Sequence, residues 1–207
     1  MTACSTVWGH RYSHRMERLD RSVLSDPSFL IPPVAGGESG LPWLRQHVAR
    51  FCDGDAHARR RGLVEAVIQE LEAARFVSSP TASLLRAMGL PAALAEDVAL
   101  VAGSYQPHSG QSTEADAAAD RLVQACGGRD EQSAARVCVL VQAHAATDAL
   151  IRTRREGSSD APVATTRRAR PDGTVVEVDL RDAHYGEGPH RCPGRDLAER
   201  FAAEALQ

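Results

Sequence analysis

Residues 185–194 read Tyr-Gly-Glu-Gly-Pro-His-Arg-Cys-Pro-Gly and set a single cysteine, Cys192, among glycines and prolines. No ordinary helix or strand tolerates that density of backbone breakers, so the stretch predicts a tight loop. Residues 195–203, which follow directly, favour a helix. The cysteine is therefore placed where a loop ends and a helix begins. Because a helix N-terminus favours negative charge, we expect a lowered thiol pKa and a thiolate suited to binding a metal.

The composition of the chain favours helices. Hydrophobic residues make up 43% of the 207 residues, whereas aromatic residues make up only 4%. Such a core must be built from aliphatic side chains and alanine, and alanine is the strongest helix former. The length suits one domain with a sizeable core. We therefore expect a mainly α protein.

Charge and cysteine content limit the kinds of binding partner and the cellular compartment that we expect. The net charge is −3 with arginines spread along the chain, so no nucleic-acid partner is predicted. Five cysteines without a Cys-x-x-Cys pair disfavour a disulfide framework or a zinc ribbon. Residues 1–20 hold no apolar run typical of a signal peptide, and no stretch approaches the length of a membrane span. These features predict a cytoplasmic protein with no membrane partner.

The length of the chain predicts one domain, which we expect to span residues 22–207 after a polar N-terminal arm, residues 1–21. Within the domain, Asp55 is predicted to cap a helix that begins near Gly54.

The longest predicted helix begins at Asp130 and runs to about Arg154. Its middle, residues 137–141, is apolar all round, which predicts a central position. Two β-branched runs, residues 162–169 and 174–180, flank a Pro-Asp-Gly turn. They predict a small β-hairpin shortly before the cysteine loop.

The loop around Cys192 resembles the cysteine-ligand loop of the cytochrome P450 family, Phe-x-x-Gly-x-x-x-Cys-x-Gly. Gly188, Cys192 and Gly194 match, and Tyr185 stands in for the phenylalanine. In that family the cysteine is the proximal ligand of the haem iron, and its thiolate pushes electron density towards O–O cleavage. The resemblance implies haem b with Cys192 as its iron ligand. The other interpretation is a buried free cysteine beside a turn.

Further stretches resemble the family's contacts to the haem propionates. His57 and Arg61 lie four apart on one helix face, as in the C helix, and an arginine offers a planar donor fork to a carboxylate. Arg167 resembles the strand arginine of an Arg-x-Ala pattern, within one residue of register. His190 resembles the third contact. For His57 and Arg61 the other interpretation is a solvated cationic helix start.

The central helix resembles the I helix of the family, whose pattern is Ala/Gly-Gly-x-Asp/Glu-Thr. Ala143 and Thr147 match; there the small residue leaves room for dioxygen and the threonine hydroxyl helps deliver protons to it. His144 replaces the glycine and Ala146 replaces the acid. The proton relay therefore lacks its usual acid. His144 and Asp148 are candidate substitutes, but each is one helical step off the face of Thr147, and a packed or surface histidine is the favoured interpretation of His144.

The resemblance covers about residues 22–201, but this sequence is shorter than the family. Residues 154–162 are too few for the J and K helices, so the Glu-x-x-Arg pair has no counterpart. No meander fits between residues 180 and 185, and the sequence ends within the helix after Cys192, without the strands that shape the family's substrate pocket. The implied fold is a shortened cytochrome P450-like helical fold with a small β-hairpin.

The resemblance implies a haem-thiolate monooxygenase that inserts an oxygen atom into a small organic substrate, with electrons from a ferredoxin and a reductase. A role in bacterial secondary metabolism follows by analogy with soluble relatives. Two alternatives keep the haem: a peroxide-driven or redox-neutral enzyme, and a non-catalytic haem-binding or decayed relative. A fourth is a zinc protein using Cys52, His57, His190 and Cys192. No oligomeric state is predicted.

Overall fold

Seven helices and a three-stranded sheet make up the computed structural model, which describes residues 16–110 and 112–207. The helices are α1 (Gly40–His47), α2 (Gly54–Glu70), α3 (Pro80–Ala87), α4 (Ala95–Ser104), α5 (Thr113–Cys126), α6 (Glu131–Arg155) and α7 (Arg195–Glu204). The strands are β1 (Arg18–Leu19), β2 (Thr165–Ala169) and β3 (Val175–Asp179). The predicted mainly α class is confirmed.

Helix α6 is stabilised at both ends by its sequence. The Asp130 carboxylate accepts a hydrogen bond from the Ser133 amide at 2.7 Å and caps the first turn. Glu131 lies in that turn, and Arg152, Arg154 and Arg155 lie in the last, where their charges complement the helix dipole.

The central position predicted for α6 is confirmed. Residues 137–141 are all buried, and α6 packs against every other helix of the described residues. By length and composition alone α6 could cross a membrane, so the expectation that no stretch approaches a membrane span was wrong. Of its most apolar window, 61% is buried inside the fold, and the core helix of a soluble protein passes the same test.

The predicted hairpin is present, and β1 extends it. Strands β2 and β3 pair antiparallel with Arg168 opposite Val176, and β1 pairs parallel with β3. The residues of the predicted arm that are described thus include a strand of the sheet; residues 1–15 lie outside the described residues, and the domain boundary after residue 21 stays a prediction. Between α6 and β2 the described chain forms turns and coil without a helix, as expected from the short spacing.

The cap predicted at Asp55 was wrong. Helix α2 begins at Gly54, its N-cap is Asp53, and Asp55 lies in the first turn. Asp53 does not cap the helix with its side chain. Its carboxylate accepts a hydrogen bond from the Ile31 amide at 2.8 Å instead, a contact between residues distant in sequence.

The cysteine loop packs on the short 3-10 helix at residues 21–25, near the edge of the sheet. Gly188 has a φ of +66° and lies so close to the backbone of Leu24 that a Cβ there would meet the Leu24 carbonyl oxygen at 2.4 Å. Leu24 in turn belongs to a small apolar cluster with Val178 and Leu180. The position requires glycine for its conformation and for this approach.

We expect Gly188→Ala to destabilise the protein far more than Gly173→Ala. Both glycines have positive φ, but an added Cβ at Gly173 meets nothing within 4 Å. Gly173→Ala should lower the free energy of unfolding by about 1 kcal/mol through backbone strain alone. Gly188→Ala should cost at least about 2 kcal/mol more, because the clash is with backbone. Urea denaturation measures both, and equal losses would contradict this packing of the loop.

Candidate functional site

One cavity of about 690 Å³ lies between α2, α6, the sheet and the cysteine loop. The structure brings all the residues predicted from the sequence to its wall, namely His57, Arg61, Ala143, Thr147, Arg167, His190 and Cys192. They come from four separate parts of the chain. Their roles stay predictions, but their convergence on one cavity is a property of the fold.

The cysteine loop is closed by backbone hydrogen bonds. The Cys192 amide donates to the Tyr185 carbonyl at 2.7 Å, and the Gly186 amide donates to the Ala183 carbonyl at 2.7 Å. Gly186, with a φ of +68°, allows the sharp turn. Helix α7 begins three residues after Cys192, as predicted.

The Cys192 thiol opens towards the cavity. Gly194 has no side chain, and a Cβ there would lie 4.0 Å from the Cys192 Sγ and 3.7 Å from the Ile68 Cδ1. The expectation of a lowered thiol pKa was wrong: although the side chain is exposed to the open cavity, desolvation by the surrounding wall raises the pKa, and the Gly194 amide and the positive charge of Arg61 only partly oppose it. The side chain is therefore a neutral thiol at neutral pH. Coordination to a metal would deprotonate it.

Arg61 holds the loop from the side of α2. One of its guanidinium nitrogens, Nη1, donates to the Arg191 carbonyl at 2.7 Å and to the Pro189 carbonyl at 3.2 Å. Its Nε donates to Glu65 at 2.8 Å. The carbonyl oxygens flanking His190 are thus tied to α2. The surface-cation interpretation of Arg61 does not fit these contacts.

Tyr185 and Glu199 hold the loop from the side of α7. The Tyr185 hydroxyl donates to Glu199, Arg154 of α6 forms an ion pair with the same carboxylate, and the Arg195 guanidinium lies 5.3 Å from the centre of the tyrosine ring. Burial alone would raise the pKa of Glu199, but the hydrogen bonds from Tyr185 and Arg154 outweigh it and lower the pKa. The hydroxyl that distinguishes tyrosine from phenylalanine therefore links the loop to two helices.

The rings of His57 and His190 pack against each other at the edge of the cavity with an angle of 43° between their planes. Their ring centres are 4.0 Å apart, and the His190 Nε2 lies 3.0 Å from the Asp53 carboxylate. Burial lowers the pKa of His57 and lowers that of His190 to about 4, despite Asp53. Both rings are therefore neutral at neutral pH, and the single N–H of the His190 ring is donated to Asp53. No local pattern in the sequence predicts the contact between Asp53 and His190, because the two are far apart in the chain.

Arg167 and Arg168 point to opposite faces of β2. Arg168 is 5% exposed, pairs across the sheet with buried Val176, and contributes to the low pKa of His190, so it lies on the histidine side. Its hydrogen bonds reach only its neighbours, the Arg167 carbonyl at 2.9 Å and the Thr166 hydroxyl at 3.5 Å. Arg167 pairs across the sheet with Glu177. Both arginines border the cavity, so Arg168 is a second candidate beside the predicted Arg167, whose role stays a prediction.

The face of α6 that borders the cavity carries small and apolar side chains together with Thr147, which is buried. Ala146, at the position of the acid, lies on this face. The Nδ1 of His144 instead forms a 2.8 Å hydrogen bond with the Thr81 hydroxyl of α3, and Asp148 is exposed. Neither candidate substitute for the acid borders the cavity, and His144 is a packed histidine.

No group of three or more histidine, cysteine or acidic side chains arranged to hold a metal ion occurs within residues 16–110 and 112–207. Cys52, one of the residues of the zinc alternative, directs its thiol to the carbonyls of Val48 and Ala49. Nothing in the described residues supports a zinc site. A haem iron requires only one cysteine from the protein.

We expect Glu199→Gln to lower the free energy of unfolding by about 1–2 kcal/mol at pH 7, because the half-exposed Arg154 ion pair is lost. Since the pKa of Glu199 is lowered by folding, its stabilisation is complete above the ordinary glutamate pKa and is lost as the pH falls through the lower, folded value. The difference between the variants should therefore shrink in acid. Urea denaturation across pH tests this, with exposed Glu72→Gln as the control. A difference that persists in acid would contradict it.

Comparison with solved structures identifies the architecture. P450BioI, solved in complex with an acyl carrier protein ligated with hexadec-9Z-enoic acid, superposes with a TM-score of 0.62 at 16% identity, covering 90% of this chain and 81% of that chain. CalO2 superposes with a TM-score of 0.66 at 16% identity, covering 95% and 83%. Substrate-free CYP109E1 from Bacillus megaterium gives 0.61 at 13% identity, covering 90% and 81%.

The sequence itself matches no protein-family model and no curated protein. The structural neighbours are cytochrome P450 structures, and at these identities the likeness concerns the fold. The resemblance first read from the Cys192 loop is thereby confirmed in three dimensions: the chain has a cytochrome P450 fold in a shortened form.

Proposed function

We propose that the protein is a haem-thiolate oxidoreductase that binds haem b in the cavity, with Cys192 as the iron ligand, and inserts oxygen into a small organic substrate. The observation that carries the proposal is the cavity itself: the only cysteine of the matching loop opens into it, opposite the face of α6 that holds Thr147. The fold of the solved neighbours supports the same assignment.

The residues around the cavity fit this cofactor. The absence of a side chain at Gly194 leaves room near the Cys192 sulfur. At the edge, buried Arg168 forms no ion pair among the described residues, and the nearby Asp53 carboxylate, which favours its charged form, is engaged by His190 and the Ile31 amide, so its burial is only partly compensated. A propionate would satisfy Arg168 with charge-assisted hydrogen bonds. The neutral ring of His57 provides a further donor, whereas the N–H of His190 is already donated to Asp53.

A thiolate-ligated haem supplies the activation of dioxygen or peroxide that oxygen insertion requires. The chain's own residues bind, orient and exclude water. Ala143 and Ala146 keep the adjoining face of α6 open, and the Thr147 hydroxyl holds a proton at the only side-chain alcohol of that face. Val139 and Leu150 extend the same wall with apolar surface, which favours an apolar substrate body.

A peroxide-driven enzyme is the second candidate, and one observation favours it. Ala146 lies on the cavity face where the family has an acid, and the other polar side chains nearby, His144 and Asp148, point elsewhere. Proton delivery along α6 thus rests on Thr147 alone. Peroxide already carries the protons and electrons that a relay and an electron donor would otherwise bring.

The partners follow from the proposed reaction. A dioxygen-driven enzyme would take electrons from a ferredoxin and its reductase in the cytoplasm, and its role in bacterial secondary metabolism is proposed only by analogy with soluble members of the family. The solved complex of P450BioI shows that one structural neighbour binds an acyl carrier protein. A carrier-bound substrate is a further possibility that the turnover experiment below can include.

We expect Arg168→Gln to release haem about tenfold faster than the parent protein, because a charge-assisted hydrogen bond to a propionate is lost. Arg167→Gln is the matched control from the opposite face of β2. Haem transfer to an excess of apomyoglobin measures both rates. If Arg167→Gln lost haem faster than Arg168→Gln, the propionate contact would be Arg167, as the Arg-x-Ala pattern predicts.

The reaction is tested by turnover with isotopically labelled dioxygen. The haem-loaded protein, a ferredoxin, its reductase and a reduced nicotinamide cofactor are supplied with a library of small organic acids, alcohols and carrier-bound acyl groups. A product with one labelled oxygen supports the proposal, and Thr147→Ala should reduce its formation roughly tenfold or more. Exposed Asp148→Ala is the control.

Three outcomes are separable in that experiment. Product formed only when peroxide replaces the electron donors would favour the second candidate. Bound haem with no product under either condition would favour a non-catalytic haem protein and contradict the proposed activity.

A further inference from the structure

Arg50 lies in the short turn between α1 and α2 and borders the cavity. Its Nε is buried without a hydrogen-bond partner among the described residues. Its Nη1 makes one long contact, 3.4 Å to the Gln142 Oε1 of α6, and its guanidinium carbon lies 5.8 Å from the centre of the Phe51 ring. No acidic side chain of the described residues forms an ion pair with it. This arginine is held in place but is not neutralised.

The acids of the cavity wall are already paired elsewhere. Glu177 forms an ion pair with Arg18 at 3.2 Å, and Glu187 forms one with Arg21 at 3.1 Å. Neither carboxylate is therefore free to compensate Arg50. An arginine fork with an unused buried donor is a ready partner for a planar anion.

Three arginines of the wall, Arg50, Arg167 and Arg168, have no ion pair among the described residues. Arg61 is different, since it pairs with Glu65. The cavity is therefore lined by an excess of positive charge in a partly desolvated setting, where an uncompensated charge is costly. We therefore expect an anionic ligand to bind there, because the described residues do not supply all of the compensating negative charge.

Arg50 and Arg168 border the same cavity, and burial and the charge of Arg50 both lower the pKa of Arg168, but the two arginines contact different side chains. Arg168 lies on the side of His190 and Asp53, where the proposed haem propionates would bind. Arg50 is bonded to Gln142, on the α6 face that carries Thr147. Gln142 and Thr147 are separated by about 7.5 Å along the helix axis, given a rise of about 1.5 Å per residue. If the carboxylate of a ligand bound to Arg50, the rest of that ligand would lie along this face of α6.

The rest of that face is apolar. Val139 and Leu150 of α6 and Leu84 of α3 border the cavity together with the alanines already described. A ligand that suits both features has an apolar body and a carboxylate at one end. Gln142 would complete the site, because its amide nitrogen is engaged by the Cys138 sulfur at 2.8 Å, which leaves the Oε1 directed at Arg50 and fixes the guanidinium.

We propose that the substrate of this protein is a carboxylic acid with an apolar body, and that Arg50, oriented by Gln142, binds its carboxylate. This inference rests on the proposed function, because only an enzyme has a substrate. The anion site itself does not depend on haem.

The experiment compares decanoic acid with decanamide, and 4-phenylbutyric acid with its amide. Binding is measured by the shift of the Soret band in the haem-loaded protein and by calorimetry in the haem-free protein. At least one acid should bind roughly tenfold or more tightly than its amide. Arg50→Gln should abolish that preference without changing the affinity for the amide.

Two further variants serve as controls. Arg50→Lys keeps the charge but not the fork, so it should keep a weaker preference for the acid. Arg59→Gln removes an arginine whose partner is Glu131, outside the cavity, and should change nothing. Circular dichroism and thermal unfolding confirm that each variant folds.

The outcomes separate this inference from the proposed function. If no haem is bound but the acid still depends on Arg50 in calorimetry, the proposed function fails and the anion site stands. If haem is bound but no acid is preferred over its amide, or if none binds, the inference is wrong. Accelerated haem loss from Arg50→Gln with an unchanged preference for the acid would assign Arg50 to a propionate and also overturn it.

Discussion

The structure of the site depends on the hydrogen bond from the Cys192 amide to the Tyr185 carbonyl. This bond closes the loop at its base, so that the thiol opens to the cavity. The closed loop would be a weak support by itself, because it is rich in glycine. It is fixed by contacts with the rest of the molecule: Arg61 binds its carbonyls from α2, Glu199 binds the Tyr185 hydroxyl from α7, and Gly188 packs directly on the backbone near Leu24.

These supports give a physical account of how a shortened fold retains the loop. The sequence has no room for the Glu-x-x-Arg pair or the meander that accompany this loop in the family, and the structure has no helix between α6 and β2 within the described residues. The ion pair of Arg154 with Glu199, carried to the loop by the Tyr185 hydroxyl, joins α6, α7 and the loop in one network. The Glu-x-x-Arg pair and the meander are thus absent from the sequence, and polar contacts from α6 and α7 hold the loop.

The sequence predicted what local pattern determines. The apolar middle of α6 and the β-branched runs of the hairpin specified the central helix and the sheet, and the spacing around Cys192 specified the loop. It did not predict contacts between distant residues, such as Asp53 with His190 or Glu199 with Tyr185, because no local pattern carries them. The pKa of Cys192 was misjudged for a related reason: the helix start is local and visible in sequence, whereas the burial that outweighs it arises only on folding. The side of β2 that faces the histidines likewise depends on strand register, because a shift of one residue turns every side chain to the opposite face.

The central claim is that the Cys192 sulfur binds the iron of a haem in this cavity, and the spectrum of the ferrous protein with carbon monoxide tests it most directly. The haem-loaded protein should show the red-shifted Soret band of thiolate ligation. Cys192→Ala should abolish that band, whereas Cys138→Ala, which removes the other cysteine of the same cavity wall, should leave it intact. A red-shifted band that survives Cys192→Ala, or one that is lost with Cys138→Ala alone, would contradict the account.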